Sequence, residues 1–503
     1  MDNKVQLITY VDRLGRGGVD DLHALLSQQL NGVFGGVHLL PFFAPIDGAD
    51  AGFDPVDHTQ VDSRLGNWED IRSLANTVPV MADVIVNHMS SESPQFQDFL
   101  AKGEQSAFNG LFLTFDTVFP NGASEAELLA VYRPRPSYPM STYTCADGTR
   151  RILWTTFTAR QIDIDVEHPL GIAYLDSILA TLSAAGVTMV RLDAVGYAIK
   201  RAGRSGFMMP ETFEFIDVFT QRARSYGLEV LVEVHSHFQK QIEIAKRVDC
   251  VYDFALPPLL LHAIFFRTAT TLTRWIEMRP KNAITVLDTH DGIGIIDIGA
   301  DGHGPNALPG LVSPQELDAT VERIHSNSNN QSREATGAAA SNLDLYQVNC
   351  TYFDALGGNV SDYLLARAVQ FFLPGVPQVY YVGLLGGRND MALLAQSGVG
   401  RDINRHYYDA AEIYTAIDTP IVQDLISLIK FRNAHPAFAG SFSYTQADEK
   451  ILTLTWRTGA EYATLLVDFS TLKWNITASH HHAVEAPPSC RTNHSIVEFQ
   501  RQN

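Results

Sequence analysis

The 503-residue chain has few cysteines, no excess of positive charge and no apolar run long enough to span a bilayer. Its four cysteines lie far apart and form no C-x-x-C pair, which argues against a zinc or redox motif and against a disulfide framework. The formal net charge of -19 argues against nucleic acid and anionic membrane surfaces as partners. Because the first residues lack a basic region followed by an apolar run, we expect a cytoplasmic protein.

Short, β-rich apolar runs recur along the chain and are separated by longer amphipathic stretches. Near-continuous apolar strands that alternate with helical stretches indicate a parallel sheet buried on both faces. Eight such units predict an α/β fold of the closed (β/α)₈ TIM barrel type. The runs begin at Val5, Gly36, Val80, Thr188, Leu228, Val251, Ala283 and Val376.

Two of the gaps between these runs are too long to be plain loops, so each is expected to hold an inserted subdomain. From about residue 438 the pattern changes to short alternating strands, which predicts an antiparallel β domain. The predicted division is a catalytic barrel over 1–87, 168–292 and 357–437, an inserted subdomain over 88–167 after the third strand, an inserted loop-rich subdomain over 293–356 after the seventh strand, and a C-terminal β domain over 438–503.

Three carboxylates stand at the ends of predicted strands: Asp193, Glu233 and Asp291. In a barrel of this kind the active-site groups lie where the strands end, at the C-terminal face. Arg191 lies two residues before Asp193, so both point to one face, and the arginine is expected to keep the carboxylate ionised. Glu233 has valine on either side, a partly apolar setting that suits a proton donor.

Two carboxylates with separate protonation duties are what glycosidic bond chemistry requires, one as the nucleophile and one as the general acid and base. Asp291 is expected to hold sugar hydroxyls, and His88 and His290 are placed to donate hydrogen bonds to them. The alternative is that these charges form structural ion pairs and that each histidine is a structural one. Three strand-end carboxylates at one barrel mouth favour the catalytic interpretation.

The segments DVIVNH, VRLDAVGY, VEVH and VLDTHD resemble, in order, the four short motifs of the α-amylase family, glycoside hydrolase family 13. GADAGFDPVDH, YRPRP, NLDLYQVN and GRDINRHYY resemble the branch of that family that transfers glucosyl groups to phosphate. The resemblance covers residues 1 to about 440. It implies the barrel with its two insertions and its C-terminal β domain, and retention of configuration by double displacement.

The resemblance also implies roles for individual residues. Asp193 corresponds to the nucleophile, Glu233 to the acid and base, and Asp291 to the transition-state stabiliser. The implied glucose clamp consists of Asp50, His88, Arg191, His290 and Arg401, with Phe53 and Phe157 as walls of the sugar pocket and Gln161 nearby.

The expected reaction is transfer of glucosyl from sucrose to inorganic phosphate, which gives α-glucose 1-phosphate and fructose. The resemblance assigns phosphate to Arg135, His235 and Tyr346, and fructose contacts to Tyr132, Tyr197, Asp344 and Gln347. Arginine suits bidentate phosphate binding. Without the resemblance, YRPRP reads more readily as a solvated basic turn. A further hypothesis is that Asp344 faces fructose and that Arg135 turns in for phosphate.

Other readings stay open at this point. The donor could instead be sucrose 6'-phosphate, glucosylglycerol or glucosylglycerate, or the enzyme could be a sucrose hydrolase. A non-catalytic sugar-binding barrel is a remote alternative, since fold alone does not imply function. The mechanism requires no cofactor or metal, and the protein could be a monomer or a homodimer.

Overall fold

A computed structural model describes residues 2–15, 17–48, 50–134, 138–302, 308–336 and 347–479, together with the backbone of residues 497–500. Eight parallel strands form a closed barrel in which each strand pairs with its neighbours in chain order. The predicted (β/α)₈ fold is therefore confirmed. The strands are β1 (Gln6–Thr9), β2 (Val37–Leu39), β3 (Val80–Ile85), β4 (Met189–Asp193), β5 (Glu229–Val232), β6 (Cys250–Asp253), β7 (Ala283–Thr285) and β8 (Val376–Tyr380).

Each barrel strand coincides with one of the eight predicted apolar runs, and only β6 begins one residue earlier than its run. The match follows because a strand covered by helices outside and by side chains inside is buried on both faces. All six residues of β3 are buried, Asp83 included. The helices that follow the strands are α1 (Val19–Ser27), α2 (Trp68–Ala75), α3 (Pro169–Ala184), α4 (Pro210–Ser225), α5 (Phe238–Ala245), α6 (Leu256–Phe266), α7 (Val360–Phe372) and α8 (Pro420–Ala434).

The segment between β3 and α3 carries its own small apolar cluster around Phe119 and Trp154. Its strand His88–Ser90 pairs antiparallel with Gln161–Asp163, which returns the chain to the barrel mouth. The other elements of this segment are the helices Pro94–Lys102, Phe115–Val118 and Glu125–Ala130 and the strands Met140–Thr144 and Arg150–Trp154.

The segment between β7 and α7 is anchored at the barrel mouth by a short antiparallel pair, Ile293–Gly294 with Gln347–Val348. Its helices are Pro314–Asn327, Gln331–Thr336 and Tyr352–Ala355. Between β8 and α8 lie the helices Tyr381–Leu384, Met391–Ser397 and Ala410–Ile417 and the 3₁₀ turn Gly400–Asn404. An extra helix, Thr270–Met278, follows α6.

After the barrel, four antiparallel strands form a separate sheet: β9 (Ser441–Gln446), β10 (Ile451–Thr458), β11 (Glu461–Asp468) and β12 (Lys473–Ser479). A short strand, β13 (Val497–Gln500), pairs parallel with β12. The sheet rests on the barrel, since the Trp456 indole donates to the Phe372 carbonyl oxygen of α7 at 2.7 Å. In the described part of the chain, no helix is both long and apolar enough to cross a membrane.

Candidate active site

The three predicted carboxylates meet at the C-terminal mouth of the barrel. Asp193 ends β4, Glu233 directly follows β5, and Asp291 lies beyond β7. They line one cavity of about 610 Å³, measured with its open mouth. Ten further residues line this cavity, eight of which the sequence pointed to: Asp50, Phe53, His88, Phe157, Tyr197, His235, His290 and Arg401, together with Pro134 and Ala194.

Arg191 lies under the carboxylates and contacts more of them than its sequence position indicates. Its Nη1 donates to Asp193 Oδ1 at 3.1 Å, and its Nη2 lies 3.8 Å from Glu233 Oε2. Nη1 also donates to Asp83, a fully buried carboxylate that pairs with Arg191 across the β3–β4 register. The predicted contact with Asp193 is confirmed. The contact with Asp83 was not predicted, although a charged residue inside an apolar strand indicates that it must have a partner.

Asp83 is the anchor of this arrangement. Its second oxygen lies 3.0 Å from Nε2 of His38, another fully buried side chain. Burial opposes ionisation of Asp83, but the positive charges of Arg191 and His38 outweigh that effect and lower its pKa to about 2. Arg191 is therefore held in place by a carboxylate that takes no part in substrate contact.

The pKa of Asp193 is shifted in the direction opposite to the sequence expectation. Burial raises the pKa of Asp193 well above its usual range, Arg191 opposes that rise, and the neighbouring Glu233 carboxylate adds to it. Arg191 also contacts Asp83 and Glu233, so its positive charge does not act on Asp193 alone. Asp193 and Glu233 repel each other when both are ionised.

The pKa of Asp291 is shifted in the opposite direction, downward. Its Oδ1 lies 2.8 Å from Nη1 of Arg401, which belongs to the 3₁₀ turn after β8. Burial raises its pKa, but Arg401, His290 and His235 outweigh burial and lower the pKa far below its usual range. Asp291 is therefore a fixed negative charge, as a group that stabilises a cationic transition state must be.

The two histidines of the predicted glucose clamp are buried and neutral. Burial lowers the pKa of each ring. His88 Nε2 lies 2.9 Å from the Phe53 carbonyl oxygen. The expectation that His88 donates a hydrogen bond to sugar stays a prediction. The His290 ring stacks on Phe53, with 4.8 Å between ring centroids and 7° between planes.

Aromatic rings form the rest of the wall. Phe157 lies 5.2 Å from the His88 ring and 5.1 Å from Tyr197. Tyr132 lies further out, where it stacks on Tyr197 at 6.2 Å and on Phe207 at 5.0 Å. These rings form part of the wall of a partly enclosed pocket whose lining is otherwise mostly polar and charged.

Five predicted residues remain, of which two lie in the described part of the chain and three outside it. Gln161 is buried behind His88, with its amide nitrogen 3.1 Å from His88 Nε2. The side chain of Gln347 accepts from the Gly292 amide at 3.4 Å at the barrel mouth. Arg135, Asp344 and Tyr346 lie outside the described residues, so their predicted contacts and the predicted exchange of loops stay predictions.

Two buried charged residues at this mouth were not found from the sequence. Lys200 contacts Asp163 at 2.6 Å and Asn87 at 2.9 Å, and also donates to the Tyr197 carbonyl oxygen. Asp297 accepts from His235 Nδ1 at 2.9 Å. Both lie in loops between elements, where no periodic pattern indicates what a side chain will meet.

Glu233, His235 and Asp291 hold donor atoms within 4.8 Å of one another. Two of the three are already engaged, since Asp291 is paired with Arg401 and His235 with Asp297.

Comparison with known proteins agrees with this geometry. The catalytic-domain model of the α-amylase family matches residues 31–276. The sucrose phosphorylase of Agrobacterium vitis is 60% identical over 479 residues, which is 95% of this chain and 98% of that protein. The sucrose phosphorylase of Bifidobacterium adolescentis is 54% identical over 493 residues, 96% of this chain and 97% of that protein.

Among solved structures, the sucrose 6F-phosphate phosphorylase from Thermoanaerobacter thermosaccharolyticum superposes with a TM-score of 0.87 at 37% identity, and the match covers 95% of this chain and 96% of that one. The chain therefore belongs to the α-amylase family, in the group of glycosyl-transferring phosphorylases that these relatives represent.

Proposed function

We propose that this enzyme transfers the glucosyl group of sucrose to inorganic phosphate, through a β-glucosyl intermediate on Asp193, and releases fructose and α-D-glucose 1-phosphate. The observation that carries the proposal is the convergence of Asp193, Glu233 and Asp291 on one cavity, with Arg191 between the first two. Sucrose is the donor named for the two relatives at 60% and 54% identity.

In the first step Asp193 attacks the anomeric carbon while Glu233 protonates the leaving fructose oxygen. The mechanism requires a proton on Glu233 at this stage. When Glu233 carries it, the part of the rise in the Asp193 pKa that comes from Glu233 is removed, and Arg191 at 3.1 Å stabilises the Asp193 carboxylate as a nucleophile. The proton on Glu233 and the contact of Arg191 with Asp193 thus distinguish the acid from the nucleophile.

Asp291 serves the transition states on both sides of the intermediate. A sugar with oxocarbenium character carries positive charge near its ring, and the fixed negative charge of Asp291 stabilises it. His290, Phe53 and His88 shape the glucose subsite. Arg401 closes that subsite, and its ion pair with Asp291 keeps both side chains aimed at the sugar.

In the second step phosphate enters the space that fructose has left. Glu233, now ionised, removes the proton of the attacking oxygen, and two inversions give retention of configuration. His235 Nε2 lies 3.8 Å from Glu233 Oε1. Of the three residues proposed to bind phosphate, it is the one in the described part of the chain. The family resemblance adds Arg135 and Tyr346 for phosphate and Tyr132, Tyr197, Asp344 and Gln347 for fructose, and we keep these as proposed contacts.

We further propose that the enzyme works in the cytoplasm without a cofactor. Its product is a charged sugar phosphate, which an apolar bilayer would retain in the compartment where it is made. A monomer and a homodimer are both compatible with the site, because every proposed catalytic residue belongs to one chain.

The experiment that tests the donor measures release of glucose 1-phosphate from sucrose, sucrose 6'-phosphate, glucosylglycerol and glucosylglycerate under identical conditions. We expect the highest kcat/KM with sucrose. A higher value with sucrose 6'-phosphate or with a glycerol or glycerate glucoside would transfer the assignment to that donor and leave the double displacement intact. Free glucose as the main product with phosphate present would indicate a hydrolase.

A further inference from the structure

Asp297 is a fully buried carboxylate that faces the back of the candidate active site. Its Oδ2 accepts from His235 Nδ1 at 2.9 Å, and its Oδ1 accepts from the Ser236 amide at 3.1 Å and from Gln241 Nε2 at 2.7 Å. Its side chain has no exposed surface. These three hydrogen bonds fix its orientation.

His235 is the cation that can neutralise Asp297. Within the described ranges of the chain, the ion pair that Asp297 makes is the one with His235, and neither lysine nor arginine takes its place. An unpaired buried charge is strongly unfavourable, so the pair is more stable with His235 protonated.

The close approach of this pair requires a glycine. A Cβ atom at Gly294 would lie 2.1 Å from Asp297 Oδ2 and 3.0 Å from His235 Nδ1, too close for any side chain. Gly294 belongs to the short strand Ile293–Gly294 that anchors the second inserted segment. The local sequence therefore leaves room for the carboxylate and the imidazole to meet.

Three negatively charged side chains in the described part of the chain face His235. They are Asp297 behind the ring, Glu233 with Oε1 at 3.8 Å from Nε2, and Asp291, whose charge is partly offset by Arg401. The ring stacks on Phe254, the residue after β6, with 3.8 Å between centroids. Burial lowers the pKa of His235, but Asp297, Glu233 and Asp291 outweigh burial and raise it above its usual value.

We propose that Asp297 is a positioning residue that keeps His235 protonated, so that an inorganic phosphate anion can bind beside the ionised Glu233. The inference rests on the proposed function. After fructose departs, the acceptor side holds the negative charges of Glu233 and Asp291, in a protein with a formal net charge of -19. A fixed imidazolium there offsets the repulsion and donates a charge-assisted hydrogen bond from Nε2.

The proposal separates anionic from neutral acceptors, and this gives the test. In Asp297→Asn the amide can still hydrogen bond with His235 Nδ1, so the ring keeps its place but loses the charge that favours its proton. At pH 7 we expect the KM for phosphate to rise about tenfold or more, as for loss of one charge-assisted hydrogen bond. Transfer of glucosyl from sucrose to glycerol, a neutral acceptor, should change little.

A pH series sharpens the distinction between charge and structure. In the parent enzyme the KM for phosphate should rise as the pH passes the raised pKa of His235, since the imidazolium is then lost. In Asp297→Asn this rise should occur at a lower pH. Dividing the KM for phosphate of the variant by that of the parent at each pH cancels the effect of the ionisation of phosphate itself.

The matched controls are His235→Gln and the double variant His235→Gln/Asp297→Asn. If Asp297 acts through His235, the second substitution has no further effect on the KM for phosphate. A full additional effect in the double variant, or equal losses with phosphate and with glycerol in Asp297→Asn, would overturn the proposal and leave Asp297 with a structural role only.

The charge of His235 can also be measured directly in the parent enzyme. A variant is then needed only to assign the signals. Histidine labelled with ¹⁵N in the full chain, with His235→Gln to assign its signals, reports the charge of the ring. We expect both ring nitrogens of His235 to be protonated at pH 7, and a neutral ring would overturn the proposal. A parent enzyme that makes no glucose 1-phosphate would reject the proposed function as well, whereas a phosphate-using parent with an unaffected Asp297→Asn variant rejects this inference alone.

Discussion

Arg191 Nη1 lies 3.1 Å from Asp193 Oδ1, and the same nitrogen donates to the buried carboxylate of Asp83. One guanidinium group therefore joins the barrel interior to the candidate nucleophile. Because β3 and β4 place Asp83 and Arg191 in register, the barrel itself sets the direction of the side chain. Arginine suits this position since its planar fork can serve several carboxylates at once.

Replacement of Asp83 by asparagine should affect both stability and catalysis. Its lowered pKa means that Asp83 stabilises the fold fully above the ordinary carboxyl pKa and progressively less as the pH falls toward about 2. We expect Asp83→Asn to lower stability by about 2–3 kcal/mol at pH 7. The gap in thermal midpoint between variant and parent should narrow as the pH falls below about 4.

The effect on kcat distinguishes Asp83 from a buried carboxylate whose ion pair lies away from the cavity. Asp253 is the matched control, because it is equally buried and pairs with Arg279 at 2.7 Å away from the cavity. We expect the folded fraction of Asp83→Asn to lose about tenfold or more in kcat, as when one charged hydrogen bond is disturbed. Asp253→Asn should lose stability but keep its kcat. Equal kcat values in the two variants would contradict the role of Asp83.

Lys200 is expected to hold several walls of the sugar pocket together. Its ammonium joins Asp163, Asn87 and the Tyr197 carbonyl, and Asp163 in turn binds the Thr156 amide at 3.0 Å, one residue before Phe157. Lys200→Met leaves Asp163 buried without its cation, so we expect a loss of about 3 kcal/mol or more.

The kinetic signature of Lys200→Met should be a lower kcat/KM for sucrose, since His88, Phe157 and Tyr197 lose a common anchor. Thermal unfolding and initial rates on the same preparation test this. A destabilised variant with sucrose kinetics identical to the parent would show that the network supports the fold but does not shape the pocket.

The C-terminal sheet should support the barrel without a part in the chemistry. Trp456→Phe keeps the packing and removes the hydrogen bond to the Phe372 carbonyl oxygen. We expect a loss of about 1 kcal/mol in stability, the usual effect of one buried hydrogen bond. The kinetic constants should stay at the parent values, and a changed kcat with an unchanged thermal midpoint would contradict this view.

Much of the fold could be predicted from the sequence, because barrel strands buried on both faces appear as apolar runs. Ionisable residues mark the ends of several of these runs. Asp193, Glu233 and Asp291 were found in this way. The division of the Arg191 charge could not be predicted, since it depends on the pairing of β3 with β4. Asp297 and Lys200 were missed because their charged partners, His235 and Asp163, are distant in sequence and only the folded chain brings them together.

The most direct test of the account follows glucose 1-phosphate and free glucose separately when purified enzyme acts on sucrose, with and without inorganic phosphate, beside the Asp193→Asn variant. We predict α-glucose 1-phosphate that depends on phosphate and that disappears in the variant. Free glucose alone would contradict transfer to phosphate, and undiminished turnover by Asp193→Asn would contradict the nucleophile on which the whole account depends.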